Sequence, residues 1–123
     1  MEKNFKLFEK LILELKNNYV VVEGKKDKDA LKNIGCRNII PIQGKKFEQI
    51  ENLFKKIDSE KIIILTDMDK EGERLAKELE NICRSTSKYC NTQIRKQLSG
   101  LLKLQYWETI DKKIERFIEE NED

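Results

Sequence analysis

The chain predicts an α/β fold: a mainly parallel sheet of about four strands flanked by helices, with extra helices at its N- and C-terminal ends. Three observations carry this expectation. Short β-branched runs alternate along the chain with apolar residues at helical spacing. The strongest run is apolar throughout, as a strand covered on both faces would be. And the strand-then-helix order repeats three times, which predicts parallel pairing with helical crossovers.

In order, Phe5, Leu7, Phe8, Leu11, Ile12 and Leu15 predict an amphipathic helix over 3–16, ended by Asn17-Asn18. Tyr19 to Val22 is a short buried strand, broken at Gly24. Residues 27–34 read as a helix with Ala30, Leu31 and Ile34 inward and Gly35 where a C-terminal cap is expected. Residues 38–42 form a second strand whose Pro41 predicts an exposed or terminal place in the sheet. After Gln43-Gly44 a helix runs from about 46 to 57, with Phe47, Ile50, Leu53, Phe54 and Ile57 as its stripe. Residues 61–66 make the most apolar strand and so the central one. A loop over 67–70 leads to a helix over 71–83. Residues 87–91 offer a short further strand, and helices over about 92–103 and 108–120 finish the chain. No repeat or low-complexity stretch intervenes, so a single domain over 1–123 is expected, with a core over about 18–90 and a helical extension over about 92–121.

Composition narrows the chemistry. The 123 residues suffice for one compact core, and no apolar run approaches the ~20 residues of a membrane span. No signal-like stretch follows the first residues, so a cytoplasmic protein with no membrane partner is expected. Histidine is absent, which removes Ser-His and Cys-His nucleophiles and His-ligated metals. The three cysteines, Cys36, Cys83 and Cys90, form no CxxC pair and argue against both a disulfide framework and a zinc site. Net charge is +2, yet residues 84–116 carry +5 and residues 117–123 carry −4. Such a basic segment fits a phosphate-facing surface, and it equally fits an ordinary solvated helix face.

The acidic residues fall where a parallel α/β sheet puts its binding groups, just past the carboxyl ends of strands. Glu23 ends the first strand, Asp67 ends the third, and Asp69 follows two residues later. Carboxylates gathered at one edge repel one another unless a cation lies between them, and oxygen donors of this kind suit Mg²⁺. Gly24 and Gly72 would admit a close backbone or phosphate, and Gly72 opens a helix whose free amides attract anions. Lys25, Lys26, Lys45, Lys70 and Arg74 could neutralise phosphate charge, and Arg95 and Lys96 extend a basic surface onto the C-terminal helices. The competing reading of an Asp-x-Asp pair is a turn or a helix cap. Tyr106 and Trp107 could stack on bases, but their place beside Leu101, Leu102 and Leu104 points to packing.

The stretches VVVEGKKDKDAL and IIILTDMDKEGERLAKEL, with Gly44 between them, resemble the Toprim domain of topoisomerases, primases, recombination-associated proteins and some nucleases. The matching elements are Glu23, Gly24 and Asp27, then Asp67, Asp69, Glu71 and Gly72, and the resemblance covers about 18–90. It implies a Rossmann-like Toprim fold, with Glu23 as general acid or base. Glu23, Asp67, Asp69 and Glu71 would hold Mg²⁺, with Mn²⁺ as a substitute. No nucleophilic-tyrosine domain, zinc module or GxxxxGK[ST] loop accompanies it, so a small stand-alone member is expected. Small archaeal and bacterial Toprim proteins and the 5S ribosomal RNA maturase are similar. The implied function is Mg²⁺-dependent phosphodiester chemistry on RNA or DNA, catalysed by Glu23, Asp67 and Asp69. The alternative is a non-catalytic nucleic-acid-binding module working with a protein partner. A phospho-aspartate enzyme is a remoter reading, disfavoured because Glu71 stands where a haloacid-dehalogenase loop wants a hydroxyl.

Overall fold

In a computed structural model, which describes residues 2–121, four parallel strands form one sheet in the order β2-β1-β3-β4. The strands are β1 (Tyr19–Val22), β2 (Asn38–Pro41), β3 (Lys61–Leu65) and β4 (Tyr89–Asn91). The helices are α1 (Glu2–Asn17), α2 (Lys25–Asn33), α3 (Phe47–Lys56), α4 (Lys70–Ser85), α5 (Gln93–Leu102) and α6 (Ile110–Asn121), with a 3-10 turn at Trp107–Thr109 before α6.

Period-two alternation divides the buried side chains between two faces. Val20, Val22, Ile63 and Leu65 pack with α1, α2, α5 and α6, whereas Val21, Ile62 and Ile64 pack with α3 and α4. Both central strands are therefore covered on both sides, which is why β1 and β3 read as unbroken apolar runs. Pro41 ends β2, and β2 is an edge strand, as its proline predicts. Gly35, just past the C-cap of α2, has φ +102°, a left-handed turn that ends the helix without a Cβ clash.

Two expectations change. The chain leaving α4 turns back through Ser87, at φ 57°, so that β4 runs beside that helix. This brings Cys83 and Cys90 together as a disulfide with Cα atoms 5.9 Å apart, a pairing the cysteine count and spacing had argued against. Cys36 is free and buried, and burial pushes its thiol up to about 11. The second change is at Phe47. It belongs by spacing to the apolar stripe of α3, yet it is 44% exposed while Ile50 and Phe54 are buried.

Candidate functional site

The strand order reverses at β1: β2 lies on one side of it and β3 on the other. The crevice beyond the carboxyl ends of β1 and β3 is thus the topological switch point, where open α/β sheets bind ligands. Register makes the meeting close. Val22 pairs with Leu65, so the residues leaving the two strands emerge side by side. Glu23 Oε2 accepts a hydrogen bond from the Asp67 backbone N–H at 2.7 Å.

The loop bearing Asp67 and Asp69 is fixed from several directions. The Thr66 hydroxyl donates to the Gly72 carbonyl at 2.7 Å, closing the loop onto the first turn of α4. A Cβ at Gly72 would lie 1.7 Å from the Asp67 carbonyl oxygen, so only glycine lets α4 start there. The close partner of Gly72 is thus the loop's own backbone. Asp69 is the N-cap of α4, and its Oδ1 accepts from the Gly72 N–H at 2.7 Å.

The segment after β4 supplies the remaining supports. The buried Arg95 guanidinium donates to the Thr66 carbonyl at 2.7 Å, to the Asp67 carbonyl at 2.6 Å and to Glu73 at 2.9 Å. The Trp107 indole, fully buried, also donates to the Thr66 carbonyl, at 2.8 Å. The Trp107 backbone N–H reaches Asp67 Oδ1 at 3.1 Å, and Met68 N–H donates to the Gln105 carbonyl at 2.9 Å.

Arg95 therefore departs from the expectation of a phosphate-binding surface residue. At 1% exposure its charge faces backbone carbonyls, and no backbone phosphate could reach it. Sequence reasoning also missed the support given by Trp107. A signal was present for Arg95: it shares helical spacing with Leu98 and Leu102, which puts it on the inward face of α5. Lys96, next to it, is exposed, as are Lys25, Lys26, Lys45, Lys70 and Arg74.

Burial raises the Asp67 carboxyl to about 6; the Trp107 N–H opposes this, and the charges of Asp27, Glu23 and Asp69 add to it. Glu23 is raised by burial too, opposed by the Asp67 N–H and reinforced by Asp69, Asp27 and Glu71. Asp27 is itself buried; its Oδ2 accepts from the Gly24 N–H at 3.0 Å, securing the start of α2 beside Glu23. Glu71 points outward and pairs with Arg74, which holds its carboxyl below the usual range.

The structure thus brings Glu23 and Asp67 together, makes Asp69 a cap, and turns Glu71 to an exposed ion pair. Among the described residues, no three acidic or cysteine side chains stand close enough to enclose a metal ion. The donor set nevertheless suits a hard divalent cation. It is all oxygen, it carries mutual repulsion that a cation would relieve, and Mg²⁺ needs only one or two protein carboxylates beside its waters.

An open parallel sheet with acids at its switch point is a ligand-binding framework. The chain belongs to the Toprim family: the model of the Toprim domain matches residues 18–100. Toprim domains typically bind divalent metal ions, and the match suggests a metal-dependent function related to nucleic acid. Small archaeal UPF0292 proteins are similar. One from Pyrococcus furiosus is 34% identical over 83 residues, 65% of this chain and 62% of that protein. One from Thermococcus onnurineus is 32% identical over 104 residues, 82% of this chain and 77% of that one. The solved structure of a protein from Aquifex aeolicus superposes with TM-score 0.71 at 27% identity, covering 81% of this chain and 94% of that one. No helix among the described residues is long and apolar enough to cross a membrane.

Proposed function

We propose that this chain is a Mg²⁺-dependent nuclease acting on RNA or DNA phosphodiesters, with Mn²⁺ able to replace Mg²⁺. The observation that carries the reading is the contact between Glu23 and the Asp67 backbone at the switch point, with both carboxyls raised by burial and by neighbouring acids. Asp67 and Glu23 would hold the cation, with Asp69 and Glu71 contributing through its waters or after leaving their present partners. When bound, the cation supplies charge stabilisation to a phosphate oxygen.

The protein's own groups do the rest. Glu23 Oε2 accepts the Asp67 N–H and keeps a second lone pair for the cation, so Oε1 is the freer atom to take or give a proton. Its raised pKa favours that exchange closer to neutral pH than an ordinary glutamate allows. Exposed Lys25, Lys26, Lys45, Lys70, Arg74 and Lys96 would meet backbone phosphates and make binding fall steeply with salt.

The test is cleavage of single- and double-stranded RNA and DNA by purified protein with Mg²⁺, against Asp67→Asn and Glu23→Gln. Both variants should lose at least a hundredfold in rate. Cleavage that persists at full rate in both variants would sink the assignment. One observation favours a second reading, a binding module without turnover: Asp69 and Glu71 are already engaged as cap and ion pair. On that reading no substrate is cut, and affinity survives mutation of the acids.

A further inference from the structure

Between the turn after β2 and the first turns of α4, with Glu23 at its edge, lies a hollow of about 490 Å³, well within the ~300–1,000 Å³ of small-molecule sites. We infer that this hollow receives one unpaired nucleobase of the substrate, with Phe47 as its stacking wall. The inference deepens the nucleic-acid reading and rests on it.

Position comes first. The Gln43 backbone N–H donates to the Glu23 carbonyl at 2.8 Å, so the turn after β2 is bound directly to the residue that follows β1. Gly44, at φ +78°, then swings the chain outward into α3 and sets the first residue of that helix, Phe47, at the lip. The hollow and the acidic pair therefore share Glu23, and a nucleotide whose phosphate lies at the pair has its base within reach of the hollow.

Chemistry comes second. The exposed Phe47 and half-buried Leu75 line the hollow above the buried Ile42 and Ile50, an apolar patch bordered by the carboxylates of Glu23 and Glu71. A metal ion or a bare phosphate has no use for such a wall. A nucleobase does, because its faces are apolar and its edges are polar. The Gln43 side chain lines the same space and carries both a donor and an acceptor for a base edge. Two cations stand there as well. Lys45 Nζ is tethered to the Pro41 carbonyl at 2.9 Å, and Arg74 is paired with Glu71, so both are positioned for the phosphates on either side of the base.

Packing does not account for the exposure of Phe47. Ile50, Phe54 and Ile57 of the α3 stripe are buried and Leu53 is half-buried, whereas Phe47 at 44% exposure contributes little to the core. Bases inside a duplex present no free face. The hollow therefore selects single strands, loops or extruded nucleotides.

The test measures affinity in Ca²⁺, to hold substrate without turnover, for a single-stranded oligonucleotide and for the same sequence as a blunt duplex. Wild type, Phe47→Ala and Phe47→Trp are compared, with cleavage in Mg²⁺ run alongside. We expect single strands to bind at least tenfold tighter than duplex. Phe47→Ala should lose about tenfold on single strands only, and Phe47→Trp should restore it. Equal affinity for both forms with no effect of Phe47→Ala overturns the inference, even if the protein cleaves. Phe47-dependent single-strand binding without any cleavage supports it while removing the nuclease reading. Absence of both binding and cleavage overturns both.

Discussion

The two flanks of Glu23 are built differently. On one side the Asp67–Asp69 loop is locked by Arg95, Trp107, Thr66 and the bare backbone of Gly72. On the other, the turn through Gly44 and Lys45 to Phe47 is exposed, and the space beside Gly44 is open. The locked flank holds charges that repel each other, and such groups stay together only if the surrounding structure forces them to. The open flank carries groups that would meet a ligand, and these gain from being accessible. Buried supports are thus concentrated on the flank that holds the repelling charges, while the open flank is held by exposed bonds such as those of Gln43 and Lys45.

Mutations can break this contrast, and their effects should descend in order. Trp107→Ala removes a fully buried ring and the indole bond to Thr66, and should cost about 3–5 kcal/mol in a denaturant melt. Arg95→Met leaves the Thr66 and Asp67 carbonyls without their donor and should cost about 3 kcal/mol. A near-wild-type melt for either would mean that the loop is not held from the C-terminal side. Gly72→Ala must displace the Asp67 carbonyl, so a loss of about 1–3 kcal/mol is expected, together with weakened divalent-ion binding by calorimetry. Phe47→Ser sits at the other extreme and should shift stability by less than about 0.5 kcal/mol. A large loss there would show the open flank to be part of the core.

A pH titration sharpens the same comparison. Asp67 titrates near 6 in the folded chain against 3.8 as its ordinary value. With metal chelated, the unfolded chain gives up this proton first as pH rises, so the fold loses stability between about pH 4 and 6. Measured against Asp67→Asn, the melting temperature should fall across that window, and added Mg²⁺ should recover it above pH 6. Asp67→Asn should flatten the fall.

Much of this was legible in the sequence. Runs such as Ile62–Leu65 can hardly be anything but covered strands, and Glu23 and Asp67 follow two such strands directly. Pro41 marked its own edge. What could not be read was anything that depended on chain segments meeting late in the fold. Arg95 sits in a basic stretch, and its burial depends on Thr66 and Asp67 offering carbonyls to it. Cys83 and Cys90 meet only because the chain doubles back after α4. Phe47 follows the helical period of α3, but period alone does not say that the helix begins at the rim of a hollow.

The bond from Trp107 to Asp67 has a consequence for anyone who would cut or graft this chain. The family match stops at residue 100, yet the amide that steadies Asp67 comes from residue 107. Excised at the family boundary, the fragment would keep Glu23, Asp67, Asp69 and Glu71 and lose the Trp107 brace behind them. A fusion partner could be appended after α6, but not spliced in before Gln105 without unseating the very loop it was meant to borrow.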